Sequence, residues 1–406
     1  MDVRTFLKHY RYDERLITGQ YFADRSLDVK KGDTVAVVLL NLGGPDQNAD
    51  IEPFLYNLFM DPAIIDMPFG GVLRHWLSSF IARTRSQKVG KDYAKIGGGS
   101  PINRLTREQR TNLEQKLNQD FGQPRGVRFK VYMAMRYWHP TSEETAAQMQ
   151  RDGVDAVVLL PLYPHYSKTT TGSSLILWWM LEQNDEIPKW PTTTIYEYAA
   201  HPKYIAAISA RIDETLKKFP ENVRNSVHLL FSAHGTPLYE MKKRRDPYCC
   251  LIHATVEQVM LQRENDLPFD ISFQSKVGPA EWLTPSTSDK LKELAEKGVK
   301  SVLVIPVAFV TDHVETAYEL NIQIREMAVD YGIVNYHVSA GLNSHSLFIE
   351  ALAEATVSRL ELPGDNLYDY GRLSTYPAAE RSCRCHQCEH IAEARCWQSN
   401  PVKTEA

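Results

Sequence analysis

Residues Val302–Glu319 read VLVIPVAFVTDHVETAYE. Four apolar, mostly β-branched residues run up to Pro306, a polar cluster of Thr311, Asp312, His313 and Glu315 follows, and helix formers take over. That order spells a buried strand, a loop carrying ionisable groups and then a helix. In open α/β sheets ligands lie just beyond the carboxyl ends of the strands, so this loop is where chemistry is expected.

Working outward, the same rhythm recurs. Thr34–Leu40 is an apolar strand that runs into Asn41-Leu42-Gly43-Gly44-Pro45, a turn whose glycines permit positive φ and close approach to a ligand. No GxGxxG accompanies it, which argues against a dinucleotide. Phe129–Met135 leads into Arg136-Tyr137-Trp138-His139-Pro140, and a helix over Ser142–Arg151 opens with Thr141 or Ser142 ahead of Glu144 in a capping pattern. Ala156–Leu160 is followed by the hydroxyl-rich Ser167–Ser174, a loop suited either to an anion or simply to capping its helix. After a break at Trp190-Pro191 the rhythm restarts: Val227–Phe231 ends in Ser232-Ala233-His234-Gly235-Thr236-Pro237, which echoes Leu39–Pro45, and Val302–Ile305 echoes Val157–Leu160. The fold class is therefore α/β: two similar Rossmann-like domains with parallel, helix-flanked sheets and a cleft between them. The expected division is an N-terminal extension 1–32 that packs loosely, a first domain 33–195, a second domain 196–360 and a cysteine-rich tail 361–406.

With 406 residues, 43% of them hydrophobic and 24% charged, the chain is long enough for two domains with real cores. A net charge of −4 without one long basic patch gives nucleic acid no electrostatic handle. The N-terminus lacks the pattern of a secretory signal, and no apolar run approaches the ~20 residues of a spanning helix. A cytoplasmic location follows as the expectation, with peripheral attachment to a membrane surface left open. Ile51–Lys88 carries more apolar residues than one helix face can hide. Either they fill the first domain's core, or part of them forms an exposed lip for a greasy ligand, a partner or a membrane. Arg83 and Arg85 close that segment with cationic groups.

His234 and the His313–Glu315 pair each follow an apolar strand, so both loops can reach one point of the cleft. Imidazole and carboxylate suit Fe²⁺, and they also suit proton removal. The set is too small for a resident metal, which takes three or four ligands, and fits a metal or proton held in passing. Trp282, in a loop after another short strand, stands either as a stacking surface for a planar ligand or as a core residue. Of six cysteines, Cys383, Cys385, Cys388 and Cys396 crowd into the tail. Clustered thiols in a cytosolic protein more often bind metal than form disulfides, and four suffice for a [2Fe–2S] cluster or a tetrahedral Zn²⁺ site.

The runs LLNLGGP, IGGGSPI, RYWHP, YPHYSKTTTGSS, FSAHGTP, QSKVGPAEWL and FVTDHVETAYELNI resemble those of ferrochelatase, in the family's order, over roughly Val35 to Leu347. The resemblance implies the two-domain chelatase fold and insertion of Fe²⁺ into protoporphyrin IX, with release of two protons, as the terminal step of haem synthesis. It further implies His234 and Glu315 as the metal-site pair, with His313 and Asp312 alongside. Leu42, Arg136, Tyr137 and Trp282 match positions lining the porphyrin pocket, and Arg85 and Ser100 match positions that meet the propionates. Thr84 interrupts the two adjacent arginines that the family often shows there. Some members carry a [2Fe–2S] cluster on C-terminal cysteines, one pattern borrowing a fourth ligand from the YPxYS loop. Lys168 follows Ser167 here, so the tail must supply all four. Coproporphyrin III as the ring, and a porphyrin or haem carrier without catalysis, are the alternatives. The tail and the apolar surface also suit a homodimer.

Overall fold

The computed structural model describes residues 3–23, 25–65, 71–276, 278–364 and 387. Ten strands are present among them: β1 (Leu27–Asp28), β2 (Thr34–Asn41), β3 (Arg128–Met135), β4 (Ala156–Pro161), β5 (Thr192–Thr194), β6 (His228–His234), β7 (Phe269–Gln274), β8 (Ser301–Pro306), β9 (Asn335–Val338) and β10 (Leu360–Glu361). They form two four-stranded, wholly parallel sheets in the orders β3-β2-β4-β5 and β7-β6-β8-β9, plus the short pair β1-β10. The two large sheets share one plan, with the first strand central, the second on one side of it and the third on the other. Every residue of β2, β4 and β8 is buried. Strands covered by helices on both faces read as continuous apolar runs, which is why these three stand out in the sequence.

Local chemistry fixes the helices between them. Thr141 Oγ1 accepts from the Glu144 N–H at 3.3 Å while the Glu144 carboxylate accepts from the Thr141 N–H at 2.8 Å, so the helix Ser142–Arg151 starts with the reciprocal cap its sequence announces. The helix Ile102–Leu117 continues as a π-helical turn, Asn118–Gly122. The helix Ser346–Val357 packs on Ile102–Leu117 and on Pro202–Leu216. One core cluster joins residues of the first sheet, such as Val37 and Val158, to Leu229 and Leu303 of the second through Tyr204 and Phe348.

The N-terminal extension is not loosely packed. Phe6 is 2% exposed and Leu16 wholly buried, the Tyr166 hydroxyl donates to the Leu16 carbonyl at 2.7 Å, and β1 pairs in parallel with β10. Its mixed polar and aromatic composition hides a purpose that only the far end of the chain reveals. The described part of the stretch 51–88 divides between two helices, one facing inward and one outward. In the helix Ile51–Met60, Ile51, Phe54, Leu55 and Phe59 are buried in a small cluster of their own. On the helix Gly71–Ala94, Val72, Leu73, Trp76 and Phe80 face solvent, 54–77% exposed. Among the described residues no helix is long and apolar enough to cross a membrane.

Candidate active site

In each sheet the chain leaves the central strand to one side and returns to the other, so a crevice opens at the carboxyl ends of β2 and β4, and again at those of β6 and β8. Crevices at such switch points are where doubly wound sheets bind ligands. His234 is the last residue of β6, and Glu315 opens the π-helical stretch Glu315–Ile324 after the β8 loop. Their side chains meet: His234 Nδ1 lies 2.9 Å from Glu315 Oε2. Gly235 lets the chain turn away beneath them, since a Cβ there would stand 2.7 Å from the Gln274 carbonyl oxygen and 3.2 Å from the Trp282 ring.

A π-helical turn holds about 4.4 residues, so Glu319 returns to the face of Glu315. Ser275 Oγ, just past β7, donates to Glu319 Oε2 at 2.7 Å and lies 3.3 Å from Glu315 Oε2, bridging the two carboxylates. Neither Glu319 nor Ser275 was singled out from the sequence. The spacing of Glu319 from Glu315 was the available signal, and a regular α-helix would also have put the two close together.

Burial disfavours charge on every member of this group, yet the pair resolves it by sharing. The His234 imidazolium beside Glu315, helped by His313 and the Ser275 hydroxyl, outweighs desolvation and holds the Glu315 carboxyl down to about 2. Desolvation likewise opposes charge on His234, but the carboxylates of Glu315 and then Glu319 raise it above its ordinary value. For Glu319, burial and the Glu315 carboxylate act together and push the carboxyl up to about 7. The site therefore contains an ionised carboxylate, a basic imidazole 37% open to solvent, and a second carboxyl poised to change charge near neutrality.

The remaining expected residues divide. His313 Nε2 stands 3.9 Å from Glu315 Oε1, its Nδ1 lies 3.1 Å from the Thr311 carbonyl, and the Phe309 ring packs against both His313 and His234. The Asp312 carboxylate accepts from Gly341 N–H, Asn343 Nδ2 and Thr316 Oγ1, pinning the β8 loop to the segment after β9. Gln109 adds a tie from the first half, accepting from Thr311 Oγ1 and donating to the Asn343 carbonyl.

Trp282 is half-buried with its ring against Gly235, next to His234. Leu42 is half-buried in the apolar cluster formed by the helices Ile51–Met60 and Gly71–Ala94, and the same cluster includes Val314, the residue before Glu315. Val314 thus ties this lip to the loop that carries Glu315. Tyr93, at the end of the long helix, is 4% exposed; burial and then the facing Glu315 carboxylate push its phenol up, while a hydrogen bond with Ser100 acts the other way. Ser100 is thus buried behind Tyr93, and Arg85 is exposed with its guanidinium 5.8 Å from the centre of the Phe59 ring.

Arg136 and Tyr137, expected on the wall of the porphyrin pocket, are anchored on Asp61. Asp61 takes a hydrogen bond from the Tyr137 hydroxyl at 2.6 Å and an ion pair from Arg136 Nη2 at 2.8 Å, and Ser173 joins both. Beside this network lies a cavity of about 910 Å³ walled by Tyr56, Asn57, His75, Arg136, Tyr137 and Trp138. His234 and Glu315 do not line it. The four tail cysteines lie outside the described residues, and among the described residues no three His, Cys, Asp or Glu side chains gather as a metal site.

The protein family described as Ferrochelatase matches residues 34–360. A ferrochelatase of Trichodesmium erythraeum is 40% identical over 336 residues, covering 82% of this chain and 85% of the relative. One of Rippkaea orientalis is 42% identical over 334 residues, covering 82% and 84%. Among solved structures, SirB from Bacillus subtilis with Fe³⁺ overlays 80% of this chain and 95% of its own at 10% identity, with a TM-score of 0.44.

Proposed function

The chain belongs to the ferrochelatase family, lyases that insert iron into porphyrin for haem synthesis, and on that premise we propose how its own residues carry out the insertion. The 2.9 Å contact between His234 and Glu315 carries the reading, because it brings together the two things the reaction needs at one point. Metallation removes two pyrrole protons and strips water from Fe²⁺. His234 accepts one pyrrole proton on its imidazole, which must be neutral at that moment, and passes it to solvent before taking the second. Glu315, kept ionised, together with His313 presents the metal. Glu319 gives up its own proton as the cation approaches and so keeps the local charge near balance. A flat macrocycle cannot turn its nitrogen lone pairs toward an incoming ion, and an apolar lip that grips the ring edges can hold it bent, with edge contacts offsetting the strain.

Protoporphyrin IX is the proposed ring. Its seat lies between the lip and the His234–Glu315 pair, so Tyr93 and Val314 must part from each other for the ring to enter. That opening would join the pair to the volume beside Arg136 and Tyr137. The exposed Val72, Leu73, Trp76 and Phe80 on the same lip form the proposed contact with the cytoplasmic face of a membrane, and a homodimer is compatible with the same surface.

The tail is proposed to hold a [2Fe–2S] cluster through Cys383, Cys385, Cys388 and Cys396, with Zn²⁺ as the alternative. The donor set suits either group, and the loop after Tyr166 offers no thiol of its own: Lys168, after Ser167, is 1% exposed with Nζ 3.3 Å from Glu240. Bound there, the cluster would cross-link the tail, since metal insertion itself transfers no electrons.

Replacing His234 by Ala is expected to lower the insertion rate by about 10²-fold to 10⁴-fold while porphyrin quenching of protein fluorescence persists. A variant that metallates protoporphyrin at the parent rate removes His234 as the base.

A further inference from the structure

Gln387, between Cys385 and Cys388, is the tail residue that the structure describes beyond 364, and its carboxamide is clamped on Thr284. Gln387 Oε1 accepts from the Thr284 N–H at 2.8 Å and from Thr284 Oγ1 at 3.2 Å, and Gln387 Nε2 donates to the Thr284 carbonyl. A side-chain amide that satisfies both backbone groups of one residue imitates a β-bridge, and only Asn and Gln place a donor and an acceptor side by side for it.

The neighbouring backbone is already engaged elsewhere. Leu283 N–H donates to the Thr236 carbonyl at 3.0 Å, Leu238 N–H to the Glu281 carbonyl at 2.9 Å, and Phe273 N–H to the Pro285 carbonyl at 2.9 Å. Segment 281–286 is thus woven between the loop after β6 and the end of β7, and Thr284 turns its polar groups outward from that weave. We propose that this segment is the docking surface of the cysteine-bearing tail, with Gln387 as the anchor. Trp282, two residues away, lies against Gly235, so the docked tail becomes part of the outer wall of the loop that carries His234. Cys385 and Cys388 stand two and one positions from the anchor in the chain, so a metal held by the tail would be carried on the docked segment. That last consequence rests on the metal-binding reading of the tail, whereas the anchor does not.

Amide hydrogen exchange of the full chain, followed by mass spectrometry on peptides covering 281–286, tests it. Gln387→Ala is expected to speed exchange at Thr284 about fivefold, the loss of one net hydrogen bond. Thr284→Ala keeps both backbone bonds and is expected to exchange at that position like the parent. Unchanged exchange in Gln387→Ala overturns the anchor, whatever the colour of the protein. Release of Thr284 by Gln387→Ala in anaerobically purified protein that shows no visible absorption and contains no zinc upholds the anchor and removes the metal from the tail, so the two readings fail separately.

Discussion

At the residue scale the site is a problem of three charges in one small volume. Glu319 keeps its proton in the folded protein up to about 7, against an ordinary value of 4.5. A folded state that binds the extra proton loses stability as pH rises through that window. Glu319→Gln has no proton to lose, so its stability relative to the parent should grow from pH 5 to pH 8, by on the order of 1–3 kcal/mol at the upper end. Urea unfolding at the two pH values checks this, and a constant difference would show that Glu319 titrates normally. The same substitution removes a charge that raises His234. The acid limb of the insertion rate should therefore move to lower pH, because His234 then becomes neutral earlier.

At the scale of elements, the lip sets one helix inward and the other outward. The buried cluster around Phe54 and Phe59 ties the lip to the body, while the outward stripe on Gly71–Ala94 leaves Trp76 68% and Phe80 67% exposed. Burying one such side chain in lipid is worth about 1.5–3 kcal/mol, so Trp76→Ser combined with Phe80→Ser should weaken sedimentation with phospholipid vesicles by at least about tenfold. Undiminished vesicle binding, alongside a changed mass in solution, would assign the stripe to contact between two copies instead. The π-helical stretch Glu315–Ile324 does related work on a smaller scale, since its wider turn aligns Glu315 and Glu319 under the one hydroxyl of Ser275.

At the scale of the whole molecule the two sheets share a core. Phe348 is fully buried against Tyr198 and Tyr204, and their cluster reaches strands of both halves. Unfolding should therefore be a single calorimetric transition, and Phe348→Ala should lower it as a unit at a cost of about 3–5 kcal/mol. Two transitions, with one of them unmoved, would mean that the halves are independent.

The strands β2, β4 and β8 were legible because burial on both faces demands unbroken apolar runs, and polar residues at the ends of β6 and β8 marked His234, His313 and Glu315 directly. Thr141 and Glu144 announced their helix start for an equally local reason. Asp61, Tyr93 and Ser275 carried no such mark: each acts on a residue at least 30 positions away, and no pattern of nearby residues encodes such a pairing. The partners of Asp312, Gly341 and Asn343, were hidden for the same reason, since adjacency to His313 in the chain says nothing about which segment a loop carboxylate meets. The sequence by itself determined the doubly wound plan and placed His234 and Glu315 just beyond apolar strands, because periodicity and strand-end chemistry are local. Only the tertiary structure decided the charge on each carboxyl, the seating of Arg136 and Tyr137 on Asp61, and the packing of Val314 against the lip, because burial and electrostatic coupling exist only once distant segments have packed together.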